Sequence, residues 1–209
     1  MPLRIIVMVK KPVAGYAKTR LIPALGEAGA AALAEHMLQQ LVQQLLLLQQ
    51  EKISQRPPLQ IELCVSPDVM DTYWQVFRDK GLQVQQQVDG DLGARMQAAV
   101  ERALAEGYPA LLIGTDCPAL DVHLLSQAVD ALLQQQTVIC PTFDGGYALL
   151  GLPSACDAVF NNMPWSTAEV YGLTVQRLAD SGLVLHQLPM QHDIDEAADL
   201  AFLPAGWLN

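Results

Sequence analysis

Residues 109–121 read PALLIGTDCPALD. The apolar run Ala110–Ile113, with Tyr108 just before it, leads straight into a small-residue turn and then a lone carboxylate, Asp116. A short unbroken apolar run bounded by Pro109 and Gly114 fits a strand buried on both faces of a parallel sheet. Gly114 and Thr115 end that strand, Cys117 and Pro118 block its continuation, and Asp121 is placed to cap a following helix. In open α/β sheets, ligands bind beyond the carboxyl ends of the strands, so Asp116 stands where such a sheet places its chemistry. The alternative is an aspartate that only braces the turn through an Asx-type bond. Spacing alone does not choose between the two.

Working outward, the chain has 209 residues, about half of them hydrophobic, which suffices for one well-buried core and is short for two domains. Its net charge of -10 leaves no broad basic face for nucleic acid. The four cysteines, Cys64, Cys117, Cys140 and Cys156, form no C-x-x-C pair and have no zinc-ligand spacing, and they read as reduced thiols of a cytoplasmic protein. The opening LRIIVMVK is strand-like and too soon interrupted by lysines for a signal peptide. The run Leu45–Leu48 is flanked by glutamines, so no membrane insertion is expected.

A first strand over Leu3–Val9 runs into KKPVAGYAKTRLIP, residues 10–23. Lys10, Lys11, Lys18 and Arg20 are four of the twelve basic residues of this acidic chain. Pro12 and Gly15 shape a turn, and Gly15 lets backbone N–H groups approach a ligand. A glycine-containing basic loop after the first strand suits a polyphosphate, with arginine gripping oxygens bidentately and lysine adding point charge. The competing reading is a solvated basic loop. The Walker pattern G-x-x-x-x-G-K-[ST] is absent.

An amphipathic helix is expected over Gly26–Lys52, a strand over Leu59–Val65, a helix over Met70–Asp79 and a strand over Leu82–Val88. In DGDLGARMQAAVERAL, residues 89–104, Asp91 precedes a helix that carries Arg95 in its first turns. That glycine-flanked N-terminus is either an anion site or an ordinary capped helix. After a helix over 121–136 and a strand from Thr137, the segment PTFDGGYALLGL, residues 141–152, places Asp144-Gly145-Gly146 between two strand-like runs. It reads as a hairpin turn or as a loop lying against a ligand. Ser166 or Thr167 is expected to cap a helix over Ala168–Ser181, with a last strand over Leu183–Leu188. Asp193 and Asp195 then precede a short terminal helix.

Four of these pieces, KKPVAGYAKTRL, DGDLGARM, GTDCPAL and FDGGYALLGL, with the downstream WST and DID, resemble one family. They look like the bacterial glycosyltransferase-like proteins of the nucleotide-diphospho-sugar transferase superfamily. The guanylyltransferases of molybdenum-cofactor and phospholactate metabolism are more distant relatives. The resemblance spans Leu3 to about Leu203 and implies an α/β, single-domain, Rossmann-like GT-A fold with a mostly parallel central sheet flanked by helices.

By the same resemblance, Asp116 would bind a metal where many such enzymes have D-x-D. This chain departs from that motif, with Gly114 and Pro118 at the flanking positions, so a second carboxylate must come from Asp193 or Asp195. Lys18 and Arg20, with Lys10, Gly15 and Thr19 of the same loop, would hold phosphates, and Asp91 and Arg95 with their helix would add to them. Asp144, Gly145 and Gly146 would line the acceptor or sugar side, with Asp144 the candidate catalytic base. Two aspartates and phosphates form an all-oxygen set suited to Mg2+ or Mn2+.

The expected activity is metal-dependent transfer of a glycosyl group from a nucleoside diphosphate-sugar to an acceptor the sequence does not name. The alternative is a nucleotidyltransferase that joins an NTP to a small phosphorylated acceptor. A third reading is a non-catalytic nucleotide-binding module. Oligomeric state is not legible.

Overall fold

The computed structural model describes residues 2–51 and 56–207. Strand β1 (Leu3–Lys10) sends Leu3, Ile5, Val7 and Val9 to one side of the sheet and Ile6 to the other, all of them buried. A strand covered on both faces needs no polar alternation, which is why its sequence is a continuous apolar run. Then follow α1 (Ile22–Gln50), β2 (Leu59–Ser66), α2 (Gln75–Arg78), β3 (Gln83–Gln86), α3 (Leu92–Ala105) and β4 (Ala110–Ile113). The second half holds α4 (Val122–Leu133), β5 (Thr137–Pro141), β6 (Tyr147–Leu152), α5 (Val170–Asp180), β7 (Leu185–Gln187) and a closing 3-10 helix, Ala197–Phe202.

The seven strands lie in one sheet in the order β3-β2-β1-β4-β6-β5-β7, with β6 antiparallel to both its neighbours and every other pairing parallel. The mostly parallel sheet expected from the sequence is thus present. One face packs α1 and α4 through Leu38, Leu41, Leu45, Leu125 and Val129. The other packs α3 and α5 through Met96, Val100, Ala103 and Leu178. Because β6 is antiparallel to its neighbours, β1, β4, β5 and β7 all point the same way, and their carboxyl ends share one edge.

Asp121 caps α4 as its position predicts, accepting the Leu124 N–H at 2.9 Å, and Asp91, for which the sequence leaves both an anion site and a cap open, caps α3 by accepting the Ala94 N–H at 2.8 Å. Other elements differ from expectation. The helix expected over Met70–Asp79 is a 3-10 turn, Thr72–Trp74, followed by the one-turn α2. The carboxylate of Asp71 takes the Tyr73 N–H and starts the turn late, while Arg78 holds the carbonyl of Val69 in non-helical backbone. Helix α1 begins at Ile22 rather than Gly26, and Gly26 (φ 70°) is a kink inside it. The end expected for that helix at Lys52 lies outside the described residues. Neither Ser166 nor Thr167 caps α5. Glu169 holds the N-cap position without a side-chain bond, and Ser166 is left-handed at φ 65°.

Within the sheet, Glu62 of β2 is fully buried between two guanidinium groups. Arg4 donates to it at 3.3 Å and Arg102 of α3 pairs with its other oxygen. Two charged partners make burial of this carboxylate tolerable.

Candidate functional site

The loops that leave β1, β4, β5 and β7 converge at the shared carboxyl edge. Beyond β7 the chain continues alongside β5, with Gln191 N–H donating to the Pro141 carbonyl at 2.9 Å and Phe143 N–H to that of Gln191 at 3.2 Å. This track carries Asp193, Ile194 and Asp195 into the site. The N–H of Ile194 donates to the backbone carbonyl of Asp116 at 2.8 Å, which locks the last loop onto the one after β4.

Lys18 completes the junction from the β1 loop. Its backbone is left-handed (φ 47°, ψ 47°), a conformation that side-chain-bearing residues adopt rarely and mostly where surrounding structure imposes it. Its side chain is only 7% exposed. The ammonium donates to the Ile194 carbonyl and lies 2.8 Å from Asp116 Oδ1 and 3.8 Å from Asp195 Oδ1. Asp195 also pairs with Arg20. Asp116 takes a 3.3 Å bond from the Thr115 hydroxyl, so its carboxylate is engaged by Lys18 and Thr115 rather than by the turn's backbone.

Asp144 sits in the β5–β6 hairpin turn. Its Oδ1 accepts the Thr142 hydroxyl at 2.6 Å and the Gly146 N–H at 2.9 Å. Gly145 is required there on two counts. Its φ is 89°, and a Cβ would lie 2.3 Å from the carbonyl oxygen of Ala168. The Tyr171 N–H donates to the Gly145 carbonyl at 2.8 Å, so the Trp165–Ala168 segment is packed directly on the turn. On the opposite side, the His192 ring is sandwiched between Phe143 (4.1 Å between centroids) and Phe202 (3.6 Å), tying the same turn to the terminal segment.

These loops enclose a cleft of about 550 Å3 lined by Arg20, Asp116, Asp144, Gly146, Asp193 and Asp195, with Thr142, Tyr147, Trp165–Ala168 and Glu196. That volume suits a small-molecule ligand. A larger but more open groove of about 730 Å3 runs along α1 among glutamines, with Glu35, His36 and Lys80 on its walls. It gathers no converging carboxylates, so the chemistry is assigned to the smaller cleft.

Electrostatics single out Asp193. Burial, then the carboxylate of Asp144, then those of Asp199 and Asp116, push its carboxyl up to about 6. A cation placed there would relieve that mutual repulsion. Among the described residues no three His, Cys, Asp or Glu side chains already form a metal-ligand cluster. Two of the expected metal-binding acids, Asp116 and Asp195, are paired with the ammonium of Lys18.

The other residues expected at the site are arranged as follows. Arg20 is the one basic residue of the β1 loop that lines the cleft. Lys10 donates to the Tyr16 carbonyl at 2.9 Å and Lys11 pairs with Asp71. Gly15 lies in the same loop and Thr19 opens the 3-10 turn Thr19–Leu21, and neither lines the cleft. Asp91 caps α3, and Arg95 turns back to the Gly90 carbonyl at 2.9 Å, while Leu92 and Met96 of that helix reach the cleft. GTDCPAL and FDGGYALLGL contain Thr115 and Tyr147, to which the sequence alone assigns no part in the site, and His192 and Glu196 flank the DID segment, which is the signal that could have found them. All four cysteines are free and buried, and burial pushes the Cys117 thiol up to about 11, which keeps it a poor metal ligand. No helix among the described residues is long and apolar enough to cross a membrane.

Residues 47–167 match the model of a family described as an uncharacterized protein conserved in bacteria, DUF2064. Among solved structures, the chain is similar to a Desulfovibrio desulfuricans G20 protein whose working name is nucleotide-diphospho-sugar transferase. Identity is 32%, coverage is 94% of this chain and 84% of the other, and the TM-score is 0.82. A nucleotidyl transferase from Methanothermobacter shares the fold at 15% identity, with 99% and 97% of the two chains covered and a TM-score of 0.62. A cytidylyltransferase from Leptospira borgpetersenii does so at 12% identity, with 98% and 88% covered and a TM-score of 0.52. No curated protein matches the sequence.

Proposed function

The protein belongs to the bacterial DUF2064 family, and we propose that it is a metal-dependent transferase that binds a sugar nucleotide in the cleft and passes the glycosyl group to a small-molecule acceptor. The observation that carries this reading is the convergence of Asp116, Asp144, Asp193 and Asp195 with Lys18 and Arg20 at the carboxyl edge of the sheet. The likeness to the Desulfovibrio protein along most of both chains supports a sugar-nucleotide donor.

Asp116 and Asp193, with oxygens of the diphosphate, would hold Mg2+ or Mn2+, and the crowding of carboxylates around Asp193 fits such an ion. When bound, the ion would neutralise negative charge developing on the leaving nucleoside diphosphate. Arg20 adds a second positive charge from the cleft wall. In the transfer, the bond from the anomeric carbon to the diphosphate oxygen breaks and its electron pair leaves with the phosphate. A bond to the acceptor hydroxyl oxygen forms, and the hydroxyl proton passes to a cleft carboxylate. Asp144, fixed by Thr142 and Gly146, is the carboxylate we assign to that role.

A second reading, nucleotidyl transfer from an NTP, is favoured by Arg20, the basic residue that the loop after β1 places in the cleft wall. Product analysis separates the two. Glycosyl transfer releases a nucleoside diphosphate from a sugar nucleotide, and nucleotidyl transfer releases pyrophosphate from an NTP. Nucleoside diphosphate release that needs Mn2+ and is lost in Asp116→Asn is the expected result. Pyrophosphate release from an NTP in the presence of a phosphorylated acceptor, with no nucleoside diphosphate release from a sugar nucleotide, would replace it with the second reading.

A further inference from the structure

The cleft has two chemically different halves. One is the carboxylate half described above. The other is walled by Met8, Met96 and Leu112, and by the rings of Tyr147 and Trp165. These side chains belong to, or pack on, the α3–α5 core layer, which at this point opens into the cleft instead of being sealed by another element.

Two features of this half are unexplained by folding. The Tyr147 hydroxyl is buried and has no hydrogen-bond partner. Buried polar groups in folded proteins are nearly always paired, and an unpaired one lowers stability. A phenylalanine would serve the core better. Burial also holds this phenol well above its ordinary range, so it stays neutral and able to donate. The second feature is the indole N–H of Trp165, which also lines the cleft and is buried without a hydrogen-bond partner.

We propose that this half of the cleft is the acceptor subsite and takes a cyclic or aromatic alcohol rather than a polyol or a sugar phosphate. The apolar face of its ring rests on Met8, Met96 and Leu112, and its hydroxyl oxygen accepts from the Tyr147 O–H while its own proton faces the carboxylate half. The two methionines offer an adaptable surface to such a ring. The assignment of this ligand as acceptor rests on the transferase reading, but its binding does not.

The test is titration of the full-length protein with 2-naphthol, and with myo-inositol as the polar comparison, by calorimetry. Wild type is expected to bind 2-naphthol saturably and myo-inositol not at all. Tyr147→Phe should weaken 2-naphthol roughly fivefold, the share of one hydrogen bond, while its melting temperature stays equal to or above that of wild type. Met96→Trp, which fills the pocket, should abolish binding. Absence of saturable 2-naphthol binding, equal binding by Met96→Trp, or destabilisation by Tyr147→Phe would each overturn the proposal. Sugar-nucleotide binding measured on the same samples reports separately on the transferase reading.

Discussion

The ammonium of Lys18 lies 2.8 Å from Asp116 Oδ1, and it is held there by the Ile194 carbonyl while Asp195 approaches at 3.8 Å. A basic loop that reads as a phosphate grip therefore sends one of its lysines into the acidic cluster. Lys18 neutralises two carboxylates that would otherwise repel each other across the junction of three loops.

Removing that charge should destabilise the protein and open the cluster to a metal. Lys18→Met is expected to lower stability by about 2 kcal/mol without divalent ions, toward the low end for a broken ion pair because Asp116 is half exposed. Added Mg2+ should restore part of the loss in the variant and do less for wild type. Melting temperatures with Mg2+ and with EDTA check this. An equal response in both proteins would remove Lys18 from the cluster's charge balance.

Asp193 makes the opposite contribution. Its carboxyl is raised from 3.8 to about 6 in the folded chain, so the folded state holds more protons than the unfolded one between those values. Its contribution is therefore most favourable below about pH 4 and is lost as pH rises through about 6. Asp193→Asn should stabilise the protein at pH 8 by on the order of 1 kcal/mol, after allowance for solvent screening, with little effect at pH 4. Urea unfolding at the two pH values measures the difference, and a gain at pH 4 alone would reverse the sign.

The hairpin turn admits one residue at its tip. Gly145→Ala combines left-handed strain with a Cβ placed 2.3 Å from the Ala168 carbonyl, and a loss of about 2–4 kcal/mol is expected. Because the turn holds Asp144, the folded fraction should also lose transferase activity. A variant with wild-type stability would show that the Trp165–Ala168 wall yields freely.

Far from the cleft, Glu62→Ala should cost about 3 kcal/mol by removing the carboxylate that neutralises Arg4 and Arg102 together, although Arg4 keeps Glu106 at 2.7 Å. Nucleotide affinity of the folded fraction should be unchanged. Chemical denaturation and a titration at low temperature test the two halves of the prediction, and a changed affinity would mean the network reaches the site.

Much of this frame was legible in the chain. The limits of β4, the caps Asp91 and Asp121 and the Asp144-Gly145-Gly146 hairpin rest on local chemistry, and local chemistry is what one sequence displays. The inward turn of Lys18 was not legible, because it depends on Asp116 and Ile194, which reach it only through the fold. The helix-capping expectation at Ser166 and Thr167 failed for a similar reason: Ala168 is seated on Gly145, and that contact governs the segment's backbone. Tyr147 lies inside the FDGGYALLGL segment, where the sequence points to Asp144, Gly145 and Gly146 instead. Only the packed structure shows its hydroxyl buried without a partner.

The most direct test of the account is a thermal-shift titration of wild type and Asp116→Asn with sugar nucleotides and NTPs, each with Mn2+ or EDTA. A ligand at about a hundred times its dissociation constant stabilises by roughly 2.7 kcal/mol, or about 5–11 °C for a chain of this size. That shift is expected for a sugar nucleotide with Mn2+ in wild type, and is expected to be lost with EDTA and in a folded Asp116→Asn. A shift that ignores both EDTA and Asp116, or no shift with any of these ligands, would contradict this reading.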